Sequence, residues 1–138
     1  MENNIWIECE RIGNVIANEF RNKYPEAIIR TGVEDLINEV GVKQFVFLFA
    51  IEGAELTLTV QHRLHADKPF VYMDSIKVNE NYRGKGLSTG ILDTLAGLVN
   101  KKVFKYLNLK DWSAGYWHYI KGRYPFIKDK YDEGFHYG

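Results

Sequence analysis

The sequence predicts an α/β (α+β) fold. A mixed sheet holds an antiparallel meander followed by a parallel strand–helix–strand crossover, and helices flank it. Three observations lead there. Near the N-terminus, apolar residues recur at helical spacing (Ile5, Cys9, Ile12, Ile16, Phe20). Three β-prone stretches then follow with short connections, which suit hairpins and leave no room for crossovers. Finally, a strand runs into the glycine-rich Arg83-Gly84-Lys85-Gly86, and a helical period resumes beyond it.

Taken in order, the first helix is expected from Ile5 to about Tyr24, with Pro25 as its stop signal. Thr31-Gly32-Val33-Glu34 matches a capping box and predicts a short second helix through Leu36, Ile37 and Val40, ended by Gly41. Lys43 to Glu52 carries Phe45, Val46, Phe47, Leu48, Phe49 and Ile51, a β-prone run too short for a helix. Glu52-Gly53 turns the chain, and Leu56-Thr57-Leu58-Thr59-Val60 alternates as a half-buried strand does. Pro69 opens a third strand, Phe70 to Val78.

Leu87, Ile91, Leu95 and Leu98 mark a helix ending near Lys101-Lys102, whose cations suit the negative end of its dipole. Val103 to Leu109 reads as the next strand, reached by a parallel crossover that is right-handed by rule. Ser113 is placed to cap a last short helix through Tyr116, Trp117 and Tyr119, ending near Gly122 and before Pro125. From Phe126 onward the tail is aromatic and basic and predicts no element.

With 138 residues, the chain suits one domain, 1–138, with a real core. Its 46% hydrophobic and 26% charged content is ordinary for a soluble protein. Eighteen basic residues balance 18 acidic ones, so no whole-molecule field draws it to nucleic acid or an anionic membrane. Acidic residues gather early (Glu2, Glu8, Glu10, Glu34, Asp35, Glu39) and basic ones late (Lys101, Lys102, Lys105, Lys110, Lys121, Arg123, Lys128, Lys130). Cys9 is the only cysteine, which excludes an intrachain disulfide, and its place in the apolar stripe predicts a small buried hydrophobe. Met-Glu-Asn-Asn lacks the features of a signal peptide, and no apolar run reaches about 18 residues. A cytoplasmic location is expected.

A strand entering a glycine-rich turn and then a helix is a phosphate-binding device. Glycines permit close backbone approach, and the N–H groups of the turn and helix start point at an anion. Spacing decides which anion. A nucleoside-triphosphate loop needs lysine directly after the second glycine and a hydroxyl beside it, whereas Lys85 lies between the glycines and Ser88 stands apart. A dinucleotide fingerprint needs its third glycine one residue before Gly90, on the first strand of a parallel sheet. Neither pattern is met.

The segment does resemble the GNAT acyltransferase superfamily. That family's cofactor motif is Gln/Arg-x-x-Gly-x-Gly/Ala after a strand ending apolar-x-Val. Asn81-Tyr82-Arg83-Gly84-Lys85-Gly86 matches both small positions, Asn81 departs at the first, and Ile76-Lys77-Val78 supplies the strand end. Trp117-His118-Tyr119-Ile120-Lys121 resembles the family's aromatic–Tyr–x–Lys helix. The likeness lies in residues 70–122 and is only topological before them.

The resemblance implies a GNAT-type mixed sheet and an N-acetyltransferase using acetyl-coenzyme A (acetyl-CoA) as co-substrate. Ile76, Lys77 and Val78 would pair with the pantetheine arm like an added strand. The amides of Arg83, Gly84, Lys85, Gly86, Leu87 and Ser88 would hold the pyrophosphate. Tyr119 would be the general acid. Asp74, four residues before Val78 and on its face if counted in twos, is the candidate base, acting directly or through water. Glu52, His62 and His65 are alternatives. No metal is expected, because His62 and His65, three apart at a strand end, point to different faces.

The acceptor would be a primary amine of a small molecule or a protein lysine or N-terminus, which the early acidic segment would attract. Two other functions fit parts of the sequence. One is an inactive CoA-binding or protein-interaction module of the same fold. The other is a nucleic-acid module built on the tail's aromatic and basic residues, which zero net charge disfavours. A homodimer joined by strand addition is compatible with an open sheet.

Overall fold

The computed structural model describes residues 2–35, 43–62, 69–109 and 122–129. The elements are α1 (Glu2–Lys23), β1 (Ile28–Asp35), β2 (Lys43–Ile51), β3 (Ala54–Gln61) and β4 (Phe70–Val78). A 3-10 turn (Glu80–Tyr82), α2 (Leu87–Asn100), β5 (Leu107–Leu109) and β6 (Ile127–Asp129) complete them. The six strands form one sheet in chain order. β1 to β4 pair antiparallel, and β4, β5 and β6 pair parallel. This is the expected mixed sheet, with the crossover through α2 joining β4 to β5.

Period two sorts the strand residues. Phe45, Phe47 and Phe49 of β2 lie beside Val60, Leu58 and Leu56 of β3, and all six are buried. Against them α1 lays Cys9, Ile12, Ile16, Ala17 and Phe20, while α2 adds Ile91, Leu92, Leu95 and Leu98. Both helices touch each other and share this face. On the opposite face Ile28 and Leu48 remain 63% and 41% exposed. No described helix is long and apolar enough to cross a membrane.

Burial pushes the Cys9 thiol up to about 12, with the Glu8 and Glu10 carboxylates adding to the effect. A thiol raised above its unfolded value of about 8.5 stabilises the fold fully below that pH, and the contribution is lost as pH climbs through the folded value. At about pH 9 the native protein should therefore resist iodoacetamide, while urea-unfolded protein is alkylated readily. Equal rates would place Cys9 at the surface.

Three expectations change. Thr31 to Asp35 do not open a helix but belong to β1, where Thr31 lies beside Phe47 and Val33 beside Phe45. A capping box offers about 1 kcal/mol locally. The β-branched Ile28, Ile29, Thr31 and Val33 instead complete an eight-residue ladder on β2. Leu36, Ile37, Val40 and Gly41 lie outside the described residues.

β5 starts at Leu107 and not at Val103, because α2 ends in a Schellman cap. Lys102 takes φ 63°, its N–H reaches the Val99 carbonyl, and that of Val103 reaches the Leu98 carbonyl. Glycine usually takes this position; here Lys102 takes it, at the helix end that the paired lysines predicted.

The third change is β6, which the tail did not predict. It is held by Tyr124, which is buried and donates its hydroxyl hydrogen bond to Asp93 Oδ1 of α2 at 2.6 Å. The helix expected from Ser113 to Gly122 falls outside the described residues except at its end, where Gly122 is helical.

Candidate functional site

β4 has a different neighbour on each side. β3 pairs with it from Phe70 to Val78, whereas β5 pairs only with Val71, Met73 and the residue between them. Among the described residues, no strand lies on the β5 side from Ser75 to Val78. The N–H and C=O groups of that edge are thus placed to receive an extended ligand.

The parting of the strands coincides with an irregularity. Leu58 lies opposite Met73, yet Thr57 lies opposite Ser75, so Asp74 is an extra residue, a β-bulge in β4. Bulges bend and twist the strand that bears them. This one also exchanges the faces. Val71 and Met73 are buried before it, while Ile76 and Val78, packed on the core, follow it in the opposite parity. Counting in twos from Val78 to Asp74 therefore fails, and the shared face it implied does not follow. Asp74 stands half-buried where β4 leaves β5. Lys77 is exposed opposite Glu55.

Past Val78 the chain makes a 3-10 turn and reaches the glycines. Gly84 and Gly86 have φ of 82° and 78°, the left-handed region that other residues enter at a cost. Gly86 is the N-cap of α2 and contributes no side-chain cap, and the first turn carries no acid. The helical ladder begins with Gly90 N–H on the Gly86 carbonyl at 2.9 Å, so the Leu87 and Thr89 amides stand ahead of it. A Cβ built on either glycine meets nothing within 4 Å.

The residues present therefore fit a phosphate group. The positive end of α2 has no acid in its first turn and no side-chain cap, and Arg83 and Lys85 stand exposed beside it. Ser88 occupies the second helical position, half-buried.

A contact that the sequence does not announce braces this turn. Asn79 N–H donates to the Gly53 carbonyl at 2.8 Å, and Tyr82 Oη donates to Glu52 Oε1 at 2.8 Å. The hydrogen bond to Glu52, and then its charge, hold the Tyr82 hydroxyl above its ordinary range, so it remains a donor at neutral pH. Lys85 Nζ lies 5.1 Å from the Tyr82 ring centroid. Gly53 was legible as a turn residue, but nothing in the sequence joins it to a tyrosine so far along the chain.

Of the alternatives to Asp74, Glu52 is engaged with Tyr82 at the β2–β3 turn. His62 follows Gln61, which lies opposite Phe70 at the far end of β4 from the glycines. The structure does not bring His62 to the parting of β4 and β5. His65 and Tyr119 lie outside the described residues.

No protein-family model and no curated protein matches the chain. Among solved structures it is similar to an aminoglycoside acetyltransferase from an uncultured soil metagenomic sample, solved in complex with trehalose. Identity is 17%, the match covers 88% of this chain and 80% of that one, and the TM-score is 0.42. It is also similar to an acetyltransferase of Trypanosoma brucei, at 16% identity, 89% and 86% coverage and a TM-score of 0.42. At these values no residue's role follows from the likeness; solved acetyltransferases are what this chain is similar to.

Proposed function

We propose that the chain is an N-acetyltransferase that moves the acetyl group of acetyl-CoA to a primary amine by direct attack. One observation carries the proposal: the β4 edge, unpaired on the β5 side from Ser75 to Val78 among the described residues, leads straight into a left-handed glycine turn that starts a helix with no side-chain cap. An extended amide-bearing arm suits the first part and a pyrophosphate the second. The backbone of Ile76, Lys77 and Val78 pairs with the arm. Arg83 N–H is bound to the Glu80 carbonyl at 3.3 Å, so the amides from Gly84 to Ser88 hold the phosphates, with the side chains of Lys85 and Arg83 adding positive charge. Read from Arg83, as Arg83-Gly84-Lys85-Gly86-Leu87-Ser88, the family motif is met at its basic first position and at Gly86, and departs at the last, where Ser88 stands for Gly or Ala.

Acetyl-CoA supplies an activated thioester. A primary amine with a pKa of about 10.4 is roughly a thousandfold too protonated at neutral pH to attack it. Asp74, at the parting of the strands, takes that proton directly or through water. The amine nitrogen then bonds to the carbonyl carbon, and a β4 backbone N–H stabilises the oxyanion. As the C–S bond breaks, Tyr119 donates its proton to the departing sulfur.

Calorimetric titration with acetyl-CoA, followed by thiol-release assays on a panel of amines including lysine peptides, tests the proposal. Saturable binding with amine-dependent thiol release is expected. Absence of binding overturns it. Binding without release on any amine would favour the alternative, a CoA-binding or protein-interaction module without catalysis.

A further inference from the structure

We infer that the Glu52-Gly53 turn is a latch for the anion-binding loop, with Tyr82 as the positioning residue that joins the two. The inference deepens the acetyl-CoA proposal and rests on it for its functional consequence.

The loop from Arg83 to Gly86 has little packing of its own. Both of its glycines lack a side chain, and the space beside each is open. What holds it lies just upstream. Asn79 N–H is tied to the Gly53 carbonyl at 2.8 Å as β4 ends, and Tyr82 Oη reaches Glu52 Oε1 at 2.8 Å immediately before the loop. These two bonds, one from backbone and one from a side chain, connect the β2–β3 turn to both ends of the 3-10 turn.

The Tyr82 side chain also lies close against Gly53. A Cβ there would sit 2.4 Å from Tyr82 Cγ, and φ is +89°, so both space and backbone conformation require glycine. On the loop side, Lys85, which stands between the two left-handed glycines, brings its ammonium to 5.1 Å from the ring centroid. Glu52, Tyr82 and Lys85 thus run in series from the hairpin turn into the middle of the loop.

Holding the loop before its ligand arrives removes ordering cost from binding. Tyr82 acts through the loop and not on reacting atoms. Its effect should fall on affinity and spare turnover.

The test compares wild type with Tyr82→Phe, Glu52→Gln, the double variant and Gly53→Ala, with melting curves to confirm folding. Each single change is expected to raise Kd and KM for acetyl-CoA about threefold to tenfold, with kcat unchanged. The double variant should bind no worse than the weaker single, because both remove one bond. Amide exchange in the unliganded protein supplies a readout independent of the coenzyme. Exchange at the hydrogen-bonded amides of Asn79, Tyr82 and Arg83 should quicken severalfold in Tyr82→Phe, while that at Leu95 stays the same.

Unchanged exchange at Asn79, Tyr82 and Arg83 overturns the latch whether or not acetyl-CoA binds. Wild-type Kd in both Tyr82→Phe and Gly53→Ala, or lost kcat at constant KM, overturns it as well. A wild-type protein that does not bind acetyl-CoA, with exchange in Tyr82→Phe quickened as expected, overturns the coenzyme proposal and leaves the latch standing as a feature of the loop.

Discussion

Gly86→Val is expected to weaken acetyl-CoA binding by more than about a hundredfold. Gly86 holds φ 78° and ψ 14° as the N-cap of α2. A β-branched residue there costs about 1–3 kcal/mol in strain. If the backbone relaxes toward negative φ instead, the amides of Leu87, Ser88 and Thr89 turn away from their common point. A bound pyrophosphate would then lose at least two charge-assisted hydrogen bonds, each worth about 1.5–3 kcal/mol. Two such losses make about 3–6 kcal/mol, which exceeds a hundredfold in Kd.

A Cβ at this position meets no described residue beyond its chain neighbours within 4 Å. The effect must therefore come through the dihedral. Gly86→Asn makes the discriminating control, since asparagine visits the left-handed region more readily and should retain most of the affinity. Calorimetry reads the affinity and circular dichroism checks that α2 survives. Equal binding by Gly86→Val and wild type would remove the loop from the coenzyme site.

Phe20→Ala should cost about 3–5 kcal/mol of folding stability, read from urea unfolding. Phe20 is wholly buried. Its ring stands 4.8 Å from that of Phe49 in an edge-on contact, 5.3 Å from Phe47 and 6.0 Å from Tyr24. It is the point where the end of α1 meets β2, so truncation opens a cavity among stiff aromatic rings that cannot collapse to fill it. Against a typical total of about 5–15 kcal/mol, that is a large share. Leu48→Ala, on the exposed face of the same strand, should stay within about 0.5 kcal/mol. A loss below about 1 kcal/mol for Phe20→Ala would contradict the packing of α1 on the sheet.

The candidate site was partly legible for a related reason. Left-handed glycines and a strand-to-helix turn leave a compositional mark, so Gly84, Gly86 and the start of α2 could be read from the chain. Tyr82 could not. Its partners Glu52 and Gly53 lie on another hairpin, and a hydrogen bond between distant positions has no sequence period. Asp74 falls between these cases: its presence on β4 was legible, but its facing was not, because one inserted residue reverses the parity of everything after it.

By itself the sequence determined the elements whose signal repeats within them: the apolar stripe of α1, the alternation of β3, the aromatic run of β2 and the glycine turn before α2. Each is a local preference that agrees with where its residues are buried. The tertiary structure alone decided that Thr31 to Asp35 join a sheet and that three residues near the C-terminus form β6. It also decided that a bulge at Asp74 parts β4 from β5. In each case a contact with a distant strand or helix outweighs a local preference of about 1 kcal/mol. No window along the chain contains that contact.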